Sequence, residues 1–348
     1  MRGLTIAGRR IADDTPAFII AELGHNHGGS VETCKAMIGA AKIAGVDAVK
    51  LQKRSNKDLF TRQMYDSPYN SEHAFGATYG EHREALEFDF EQYRELKAYA
   101  ENLGLVFFAT AFDIPSVDFL VALGVPAIKI ASGCLTDIPL ITYAAKKLPL
   151  IISTGGGSME DVERADLALP DNAQAAFLQC TAAYPLQPEE ANLRVIETYR
   201  DAFPDVVIGL SDHHDGISLG PVAYMLGARI FEKHFTLSRS SKGSDHAFSL
   251  EPEGMRRFVR DIQQIPAALG DGVKRPFASE ASGMRKMAKG IYPTDNFEPG
   301  HIIQPGDLAL QSPGEGLPPW KVEKFYGRAL SEPLQQGRAV DSSGVLEP

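Results

Sequence analysis

The sequence predicts an α/β protein, a (β/α)8 barrel followed by a small, mostly β domain. The main observation is a regular alternation of short apolar runs with segments of helical spacing. The runs are Phe18–Glu22, Ala48–Leu51, Val106–Ala109, Ala127–Ile130, Leu150–Ser153, Ala176–Gln179, Val206–Gly209 and Ile230–His234. They are rich in Val, Ile, Phe and Ala without strict alternation, as is typical of buried parallel strands. An open, doubly wound sheet is the alternative, but about eight regular units favour closure into a barrel.

Helical segments separate the apolar runs, and glycines follow three of these segments. In Val31–Ala44 the apolar residues recur every three or four positions, and Phe90–Asn102 has helical spacing too. Gly45, Gly104 and Gly124 stand where the chain leaves a helix, a position at which a left-handed residue is expected. The pattern therefore predicts strands and helices in alternation.

Two regions lie outside the repeating pattern. Near the N-terminus, Leu4–Ala7 and Arg10–Ala12 predict a small hairpin with a turn at Gly8–Arg9, which we expect to close the floor of the barrel. Arg54–Phe88 is a long polar insertion after the second strand, and such insertions often belong to an active site. Its aromatic residues include Tyr65, Tyr69, Phe75 and Tyr79. They either line a sugar pocket or pack the insertion, and the sequence favours neither.

The composition changes after residue 270. Residues 271–286 contain many Gly, Ser and Lys residues and predict a linker. Beyond them, short strand-like pieces at Ile302–Ile303, Leu308–Leu310 and Arg328–Leu330 are separated by Pro and Gly. We therefore expect a barrel domain over 1–270, a linker over 271–286 and a small domain over 287–348, which at about 60 residues is marginal alone.

The composition also excludes several classes of protein. Lys and Arg total 35 against 45 Asp and Glu, and the net charge of −10 argues against a nucleic-acid partner. Charged residues interrupt residues 1–15, unlike a signal peptide, and no apolar run is long enough to span a membrane. The cysteines Cys34, Cys134 and Cys180 are few and far apart, which favours a reducing compartment over a disulfide framework. We expect a cytoplasmic protein without a membrane partner.

Polar side chains are concentrated where the predicted strands end, the edge at which barrels of this kind place their sites. Because this many polar groups would be costly in a core, we expect a cleft at the carboxyl ends of the strands. The residues are Glu22, Asn26, His27, Lys50, Gln52, Thr110, Lys129, Ser132, Ser153, Thr154, Gly155, Thr181, Tyr184, Ser211, Asp212, His213, His214, Glu232 and His234.

Two histidines stand at adjacent strand ends and could hold a divalent ion. His213 and His234, with carboxylates nearby, would form an open site for Mn²⁺, Fe²⁺ or Zn²⁺. The alternative, of equal weight, is a pair of hydrogen-bonded histidines without metal. His214 leaves the first ligand ambiguous by one position, because neighbouring side chains of a strand point to opposite sides.

Lys50 and Lys129 lie on separate predicted strands, and three serine hydroxyls lie on others. These serines are Ser132, Ser153 and Ser211. Converging ammonium and hydroxyl groups suit a phosphate or a carboxylate better than a neutral ligand. Two alternatives remain open: lysines that form salt bridges as part of the barrel, and a lysine that forms a Schiff base, as in barrel aldolases.

Seven short motifs follow one another along the predicted barrel. They are Ile20–Gly29 (IAELGHNHGG), Asp47–Gln52 (DAVKLQ), Lys129–Gly133 (KIASG), Ser153–Gly156 (STGG), Gly209–His213 (GLSDH), Glu232–Thr236 (EKHFT) and Gly243–Pro252 (GSDHAFSLEP). Their content and order resemble those of the sialic-acid (N-acetylneuraminate) synthases and related nonulosonic-acid synthases. Glu298–Ile303 and Ser312–Gly316 resemble the antifreeze-like (SAF) domain that these enzymes carry after a TIM barrel.

The resemblance implies a metal-dependent condensation of phosphoenolpyruvate with an amino-sugar aldehyde, which gives a nine-carbon 3-deoxy-2-ulosonic acid and phosphate. It implies that His213 and His234 hold the metal, Mn²⁺ with Mg²⁺ or Co²⁺ as alternatives. The residues implied to bind phosphoenolpyruvate are Lys50, Lys129, Thr110, Ser132, Ser153 and Ser211. The implied catalytic residues are Glu22, Glu232 and Lys129, and the implied sugar contacts are Gln52, Tyr184 and Asp245. A homodimer that exchanges its small domains is implied as well.

Three positions depart from the family's pattern. Ser312 and Ala182 stand where an Arg and an Asn are usual, and Cys134 stands where an acidic residue is usual. We expect all three on or near the ligand pocket, and therefore an acceptor other than N-acetylmannosamine. A metal-independent Schiff-base aldolase and a non-catalytic sugar-binding relative are the alternatives to the synthase.

Overall fold

Eight parallel strands close into a barrel, as the sequence predicts. The structure is a computed structural model that describes residues 2–341. The chain divides into two compact units between Leu269 and Gly270, and the barrel is in the first. A hairpin of β1 (Leu4–Ile6) and β2 (Arg9–Ile11) precedes the barrel. The barrel strands are β3 (Phe18–Gly24), β4 (Ala48–Lys53), β5 (Val106–Ala111), β6 (Ile128–Ile130), β7 (Leu150–Ser153), β8 (Ala175–Cys180), β9 (Val207–Asp212) and β10 (Ile230–His234).

Helices follow each barrel strand, and two of them have the predicted bounds. The helices are α1 (Val31–Ala44), α2 (Asn56–Leu59), α3 (Arg62–Tyr65), α4 (Tyr79–Glu84), α5 (Phe90–Asn102), α6 (Ile114–Leu123), α7 (Ile138–Ala145), α8 (Met159–Leu167), α9 (Val195–Ala202), α10 (Leu219–Met225) and α11 (Pro252–Leu269). Gly45 and Gly124 cap α1 and α6 in the left-handed conformation, with φ of 89° and 73°. Over residues 2–341, no helix has the length and apolar content needed to cross a bilayer.

The alternation of side chains along β10 positions the site. Glu232 and His234 lie on one side of the strand, and Lys233, between them, lies on the other. There the Lys233 ammonium meets a carboxylate oxygen of Asp212 in β9 at 2.8 Å, with both side chains only 1% exposed. Breaking such a buried pair from one side costs about 3–5 kcal/mol. The pair therefore ties together the ends of the two strands next to the predicted metal ligands.

The N-terminal hairpin lies at the amino ends of the barrel strands, on the floor of the barrel. Its apolar side chains are buried in the barrel core, and the Arg9 guanidinium donates to the carbonyl oxygen of Ala17 at 2.8 Å and pairs with Asp47. The predicted turn at Gly8–Arg9 is wrong by one residue. Ala7 and Gly8 form the turn, with φ of 49° and 77°, because a tight hairpin turn requires two left-handed residues.

The second unit contains a two-stranded antiparallel sheet and a helix. After α12 (Ala281–Met287), β11 (Gly290–Pro293) pairs with β12 (Leu308–Gln311). The helix overlaps the predicted linker over 271–286, so part of that segment is helical. The strand β11 was not predicted, because Gly290 and Pro293 at its ends are typical of turns rather than strands.

Two other strand-like pieces of the second unit form only an isolated bridge, between Ile302 and Ala329. This unit has an apolar cluster of its own. The buried residues of the cluster are Ile291, Ile303, Leu308, Phe325, Leu330, Leu334 and Val340. A unit of this length, built from short strands and many turns, has little apolar area to bury.

Candidate active site

A cavity of about 300 Å³ opens at the carboxyl ends of the barrel strands. Polar groups from nearly every strand meet in it, although their positions in the chain are far apart. Every side chain that the sequence assigns to catalysis, ligand binding or metal binding lines this cavity. They are Glu22, Lys50, Gln52, Thr110, Lys129, Ser132, Ser153, Tyr184, Ser211, His213, Glu232, His234 and Asp245.

Lys50 connects three neighbouring strands inside the cavity. Its ammonium lies 2.6 Å from a carboxylate oxygen of Glu22 in β3 and donates to the hydroxyl of Thr110 in β5 at 2.6 Å. The other oxygen of Glu22 accepts from the Gln52 amide at 2.7 Å. The same ammonium lies 3.7 Å from a carboxylate oxygen of Glu232 in β10, so it is buried between two carboxylates and one hydroxyl, at the place where an anionic ligand would enter.

Lys129 is the second buried ammonium of the cavity. It donates to the hydroxyl of Ser153 at 2.6 Å and to the backbone carbonyl of Ile130 at 3.1 Å. Its nitrogen lies 4.0 Å from a carboxylate oxygen of Glu232, whose other oxygen accepts from the Ser211 hydroxyl at 3.4 Å. Burial lowers the pKa of Lys129, although Glu232 opposes this. Two lysines therefore face the carboxylate of Glu232 from different strands.

The two buried carboxyl groups of the cavity have pKa values shifted in opposite directions. Burial raises the pKa of Glu22 to about 7, against the opposing charge of Lys50. Burial acts on Glu232 as well, but Lys129 and Lys50 outweigh it and lower its pKa. At neutral pH, Glu232 is therefore ionised while Glu22 is partly protonated. Such a split is the usual basis for one carboxyl acting as base and its neighbour as acid.

His213 and His234 face each other, with ring centroids 5.3 Å apart. Burial lowers the pKa of His213 to about 3 and lowers that of His234 as well, so both imidazoles are neutral near pH 7. The Nδ1 atom of His213 lies 3.0 Å from the carbonyl oxygen of Thr181, which favours the tautomer with the hydrogen on Nδ1. Its Nε2 atom then keeps a free lone pair, as a metal ligand requires.

The donor atoms present fit an open two-histidine metal site. The Nδ1 atom of His234 and one carboxylate oxygen of Glu232 are buried without a hydrogen-bond partner among the described residues. Asp245 lies 3.8 Å from that nitrogen. Residues 2–341 contain no cluster of three His, Cys, Asp or Glu side chains arranged to hold a metal ion. A metal held by the two histidines would thus complete its coordination with water or substrate, as catalytic sites do.

Several polar residues at the predicted strand ends do not line the cavity. They are His27, Thr154, Gly155, Thr181, Asp212 and His214. His214 is held on the other side of the strand end, where its backbone N–H donates to Asp212 at 2.8 Å and its carbonyl oxygen accepts from Lys233. Of the two adjacent histidines, His213 is therefore the one that reaches the cavity.

His27 has a structural role that makes the fold sensitive to acid. Its ring stacks on Phe88 at 4.3 Å, its Nδ1 atom accepts from the N–H of Gly29 at 3.0 Å, and burial lowers its pKa to about 4. Between pH 6.5 and 4 the unfolded chain binds a proton that the folded chain does not, so stability falls as the pH falls. Because of His27, we expect the free energy of unfolding to decrease by about 2 kcal/mol when the pH is lowered from 7.5 to 5.

Urea denaturation of the wild type and of His27→Gln at both pH values measures this cost. The variant should be less stable at pH 7.5 but should lose about 2 kcal/mol less on acidification. An equal loss in both proteins would contradict the assignment, because the other buried histidines are common to both.

The insertion over residues 54–88 both packs on itself and reaches the cavity. Tyr69 and Tyr79 contact each other and the ring of His82, at centroid distances of 5.5, 4.6 and 6.3 Å, so they pack the insertion. Phe75, by contrast, lines the cavity. Residues that the sequence did not assign also line it, among them His25, Arg54, His82 and Arg83. The sequence signal for Arg54, His82 and Arg83 was the length and polarity of the insertion, whereas His25 lies in the motif Ile20–Gly29.

Two of the three departures from the family's pattern lie in the first unit. Ala182 lines the cavity, as expected. Cys134 does not line the cavity but lies beside it, as expected: the preceding Gly133 lines the cavity, and the Cys134 thiol faces the carbonyl oxygen of Phe112, another lining residue, at 3.8 Å. Cys134 belongs to a 3₁₀ turn, Ser132–Cys134, whose successive side chains point in directions about 120° apart. Ser312 belongs to the second unit.

The chain is similar along most of its length to several known proteins. A model of the NeuB family matches residues 37–274. The N-acetylneuraminate-9-phosphate synthase of Homo sapiens is 41% identical over 337 residues, 96% of this chain and 94% of that protein. The N,N'-diacetyllegionaminic acid synthase of Legionella pneumophila is 36% identical over 331 residues, 93% of each protein. The crystal structure of N-acetylneuraminic acid (sialic acid) synthetase from Leptospira borgpetersenii has a TM-score of 0.68 at 33% identity, covering 81% of this chain and 95% of that one.

Proposed function

The chain belongs to the NeuB family, and from this we propose that it condenses phosphoenolpyruvate with an amino-sugar aldehyde to give a nonulosonic acid and phosphate. The supporting observation is the pair of buried lysines, Lys50 and Lys129, that meet Glu22 and Glu232 at the carboxyl ends of the strands. A substrate that carries both a phosphate and a carboxylate needs two such cations. A sugar-binding protein without catalysis has no need for two lysines beside two carboxyl groups of split pKa.

Phosphoenolpyruvate would be held by the lysines and by hydroxyls that surround them. The hydroxyls are those of Thr110, Ser132, Ser153 and Ser211. Lys50 and Lys129 already donate to two of these hydroxyls, which holds the ammonium groups in place before the substrate arrives. Donors fixed in advance in a site that excludes water stabilise developing negative charge without reorganisation.

The bond changes require one proton acceptor and one proton donor. C3 of phosphoenolpyruvate bonds to the aldehyde carbon, and water adds to C2. The bond between C2 and the phosphate oxygen then breaks, C2 becomes a ketone, and the phosphate leaves with the proton of the C2 hydroxyl. Glu232, ionised beside two lysines, would take a proton from the water. Glu22, with its pKa raised to about 7, would supply the proton for the former aldehyde oxygen.

A divalent ion is part of the proposal. His213 and His234 would hold it, and Mn²⁺, with Mg²⁺ or Co²⁺ as alternatives, would polarise the aldehyde oxygen as a Lewis acid. Tyr184, whose ring lies 4.3 Å from that of His213, would pack against the sugar together with Gln52 and Asp245. The homodimer with exchanged small domains stays a prediction.

The relatives leave the acceptor open, because their names specify different products. One is a 9-phosphate synthase and another makes a diacetylated legionaminic acid. Ala182 in the cavity wall supports an acceptor other than N-acetylmannosamine itself.

Consumption of phosphoenolpyruvate, together with release of phosphate, tests the proposed reaction. The purified full chain is incubated with Mn²⁺ and a panel of hexoses, 2-acetamido-hexoses and their 6-phosphates, with a chelator in parallel. We expect consumption that depends on one acceptor class and stops with the chelator. Consumption that is insensitive to the chelator would overturn the role of the metal, and no consumption with any acceptor would overturn the reaction.

A further inference from the structure

Two guanidinium groups converge on one imidazole ring in the wall of the cavity. One nitrogen (Nη1) of Arg54, which follows β4, lies 3.1 Å from Nε2 of His25, and Nη1 of Arg83 in α4 lies 3.4 Å from Nδ1 of the same ring. All three side chains line the cavity, and Arg54 is only 8% exposed. A neutral imidazole accepts one hydrogen bond, so it cannot satisfy both arginines.

The remaining contacts of the two arginines are also with neutral groups. Arg54 donates to the side-chain oxygen of Gln52 at 2.7 Å and lies 3.6 Å from the ring centroid of Phe112. Arg83 donates twice to the hydroxyl of Tyr79, at 3.0 and 2.8 Å. These contacts hold both guanidinium groups in place, and they leave N–H donors of Arg54 without a partner among residues 2–341.

The positive charge of this pair is not balanced by a direct ion pair among the described residues, and Glu87 and Asp245 act on Arg54 only from a distance. Within residues 2–341, neither guanidinium forms an ion pair with a carboxylate. The nearby carboxylate of Glu87 pairs with Lys53 at 2.8 Å instead, and it meets only the backbone N–H of Arg54. Burial, together with the two arginines, lowers the pKa of His25, which therefore adds no charge near neutral pH. Arg54 is buried and Arg83 is half-buried, and two like charges on either side of one ring are costly there without an anion.

We propose that Arg54, Arg83 and His25 bind a phosphate monoester carried by the sugar acceptor. A phosphate dianion matches the two positive charges, whereas a carboxylate would leave one of them unbalanced. Guanidinium groups also bind phosphate oxygens in pairs, which gives the contact a defined geometry. The inference rests on the proposed function, since it names the class of acceptor for the same cavity.

We call Arg54, Arg83 and His25 the arginine pair site. Its distance from the reacting groups matches the separation between the two ends of a hexose acceptor. The Gln52 side chain bridges Arg54 and Glu22, so one amide separates the arginine pair site from the carboxyl group next to Lys50. In a hexose aldehyde C1 reacts, and C6, at the opposite end of the carbon chain, carries the only primary hydroxyl. A 6-phosphate therefore fits an arginine pair that stands apart from the lysines.

Binding of an unreactive analogue tests the site without depending on turnover. A 2-acetamido-2-deoxyhexitol 6-phosphate lacks the aldehyde, and its affinity and that of the unphosphorylated hexitol are measured by calorimetry on the full chain. We expect the phosphate to improve binding about 10- to 100-fold, and Arg54→Gln or Arg83→Gln to remove most of that gain. Arg54→Lys should restore part of it. Equal affinity for the two hexitols would overturn the proposal.

Steady-state kinetics separate this inference from the proposed reaction. With acceptors that differ only in the 6-phosphate, Arg54→Gln should lower kcat/KM for the phosphorylated one about 10- to 100-fold and leave the KM for phosphoenolpyruvate unchanged. Arg62→Gln, an exposed arginine of the same insertion, is the matched control and should behave like the wild type. Turnover of unphosphorylated acceptors alone would overturn the phosphate site while the reaction stands. If the hexitol phosphate bound but no acceptor were turned over, the proposed reaction would be overturned and the phosphate site would stand.

Discussion

Replacement of His213 or His234 by alanine should lower the rate of phosphoenolpyruvate consumption by about 10³-fold or more, because each would supply a ligand to the proposed divalent ion, which would contribute several kcal/mol in the transition state. The two rings face each other across 5.3 Å and are neutral, so each has a lone pair for a metal. Titration of Mn²⁺ by electron paramagnetic resonance should show one bound ion in the wild type and weakened binding in either variant. This readout does not depend on turnover.

His214→Ala is the matched control for this pair. Its imidazole does not line the cavity, and only its backbone atoms make hydrogen bonds with Asp212 and Lys233. The variant should keep most of the activity and bind Mn²⁺ as the wild type does. If His214→Ala abolished Mn²⁺ binding while His213→Ala did not, the assignment at the end of β9 would be wrong by one residue.

Lys129→Met should lower kcat/KM for phosphoenolpyruvate by about 10³-fold, because a buried ammonium beside Glu232 and Ser153 is lost from a site that must hold an anion. The methionine has a similar length and no charge, so the barrel should remain folded. Fluorescence or calorimetry should show weakened phosphoenolpyruvate binding, and the circular dichroism spectrum should not change. Lys146→Met, an exposed lysine at the end of α7, is the control.

Borohydride distinguishes this role of Lys129 from a Schiff base. In the proposed reaction the lysine only pairs with an anion, so reduction in the presence of substrate should leave the enzyme active and add no mass. Covalent trapping that is lost in Lys129→Met would instead support the aldolase that the sequence leaves open. Activity that survives in Lys129→Met would contradict both roles.

The barrel and its interior could be predicted from sequence because both depend on local patterns. Buried parallel strands are short apolar runs, and a polar residue such as Lys129 or Glu232 within or just after one must face a cleft. Ile230–His234 and Leu150–Ser153 have the predicted bounds, and four other strands are two residues longer than predicted. The strand β6 is one residue shorter, and β9 begins one residue later and ends three residues later. The added residues belong to the strands through backbone hydrogen bonds, which the type of side chain does not reveal.

Features that depend on the path of the chain could not be predicted. His25, Arg54 and Arg83 meet only because the insertion over residues 54–88 folds back over the strand ends, and no periodic pattern encodes such a path. Whether the side chain of Cys134 lines the cavity or only lies beside it is a smaller example of the same limit. The distance of Cys134 from Ser132 in the chain is two residues, but a tight turn directs the two side chains to different surroundings.

The division of the cavity between strands and insertion has a consequence for evolution. Lys50, Lys129 and Glu232 belong to the strands of the closed barrel, where each change disturbs several neighbours at once. Arg54 and Arg83 belong to an insertion outside the pairing of the strands. Mutations in the insertion can therefore change the acceptor while the lysines and carboxyl groups of the strands stay in place. One barrel can diversify in this way toward different acceptors.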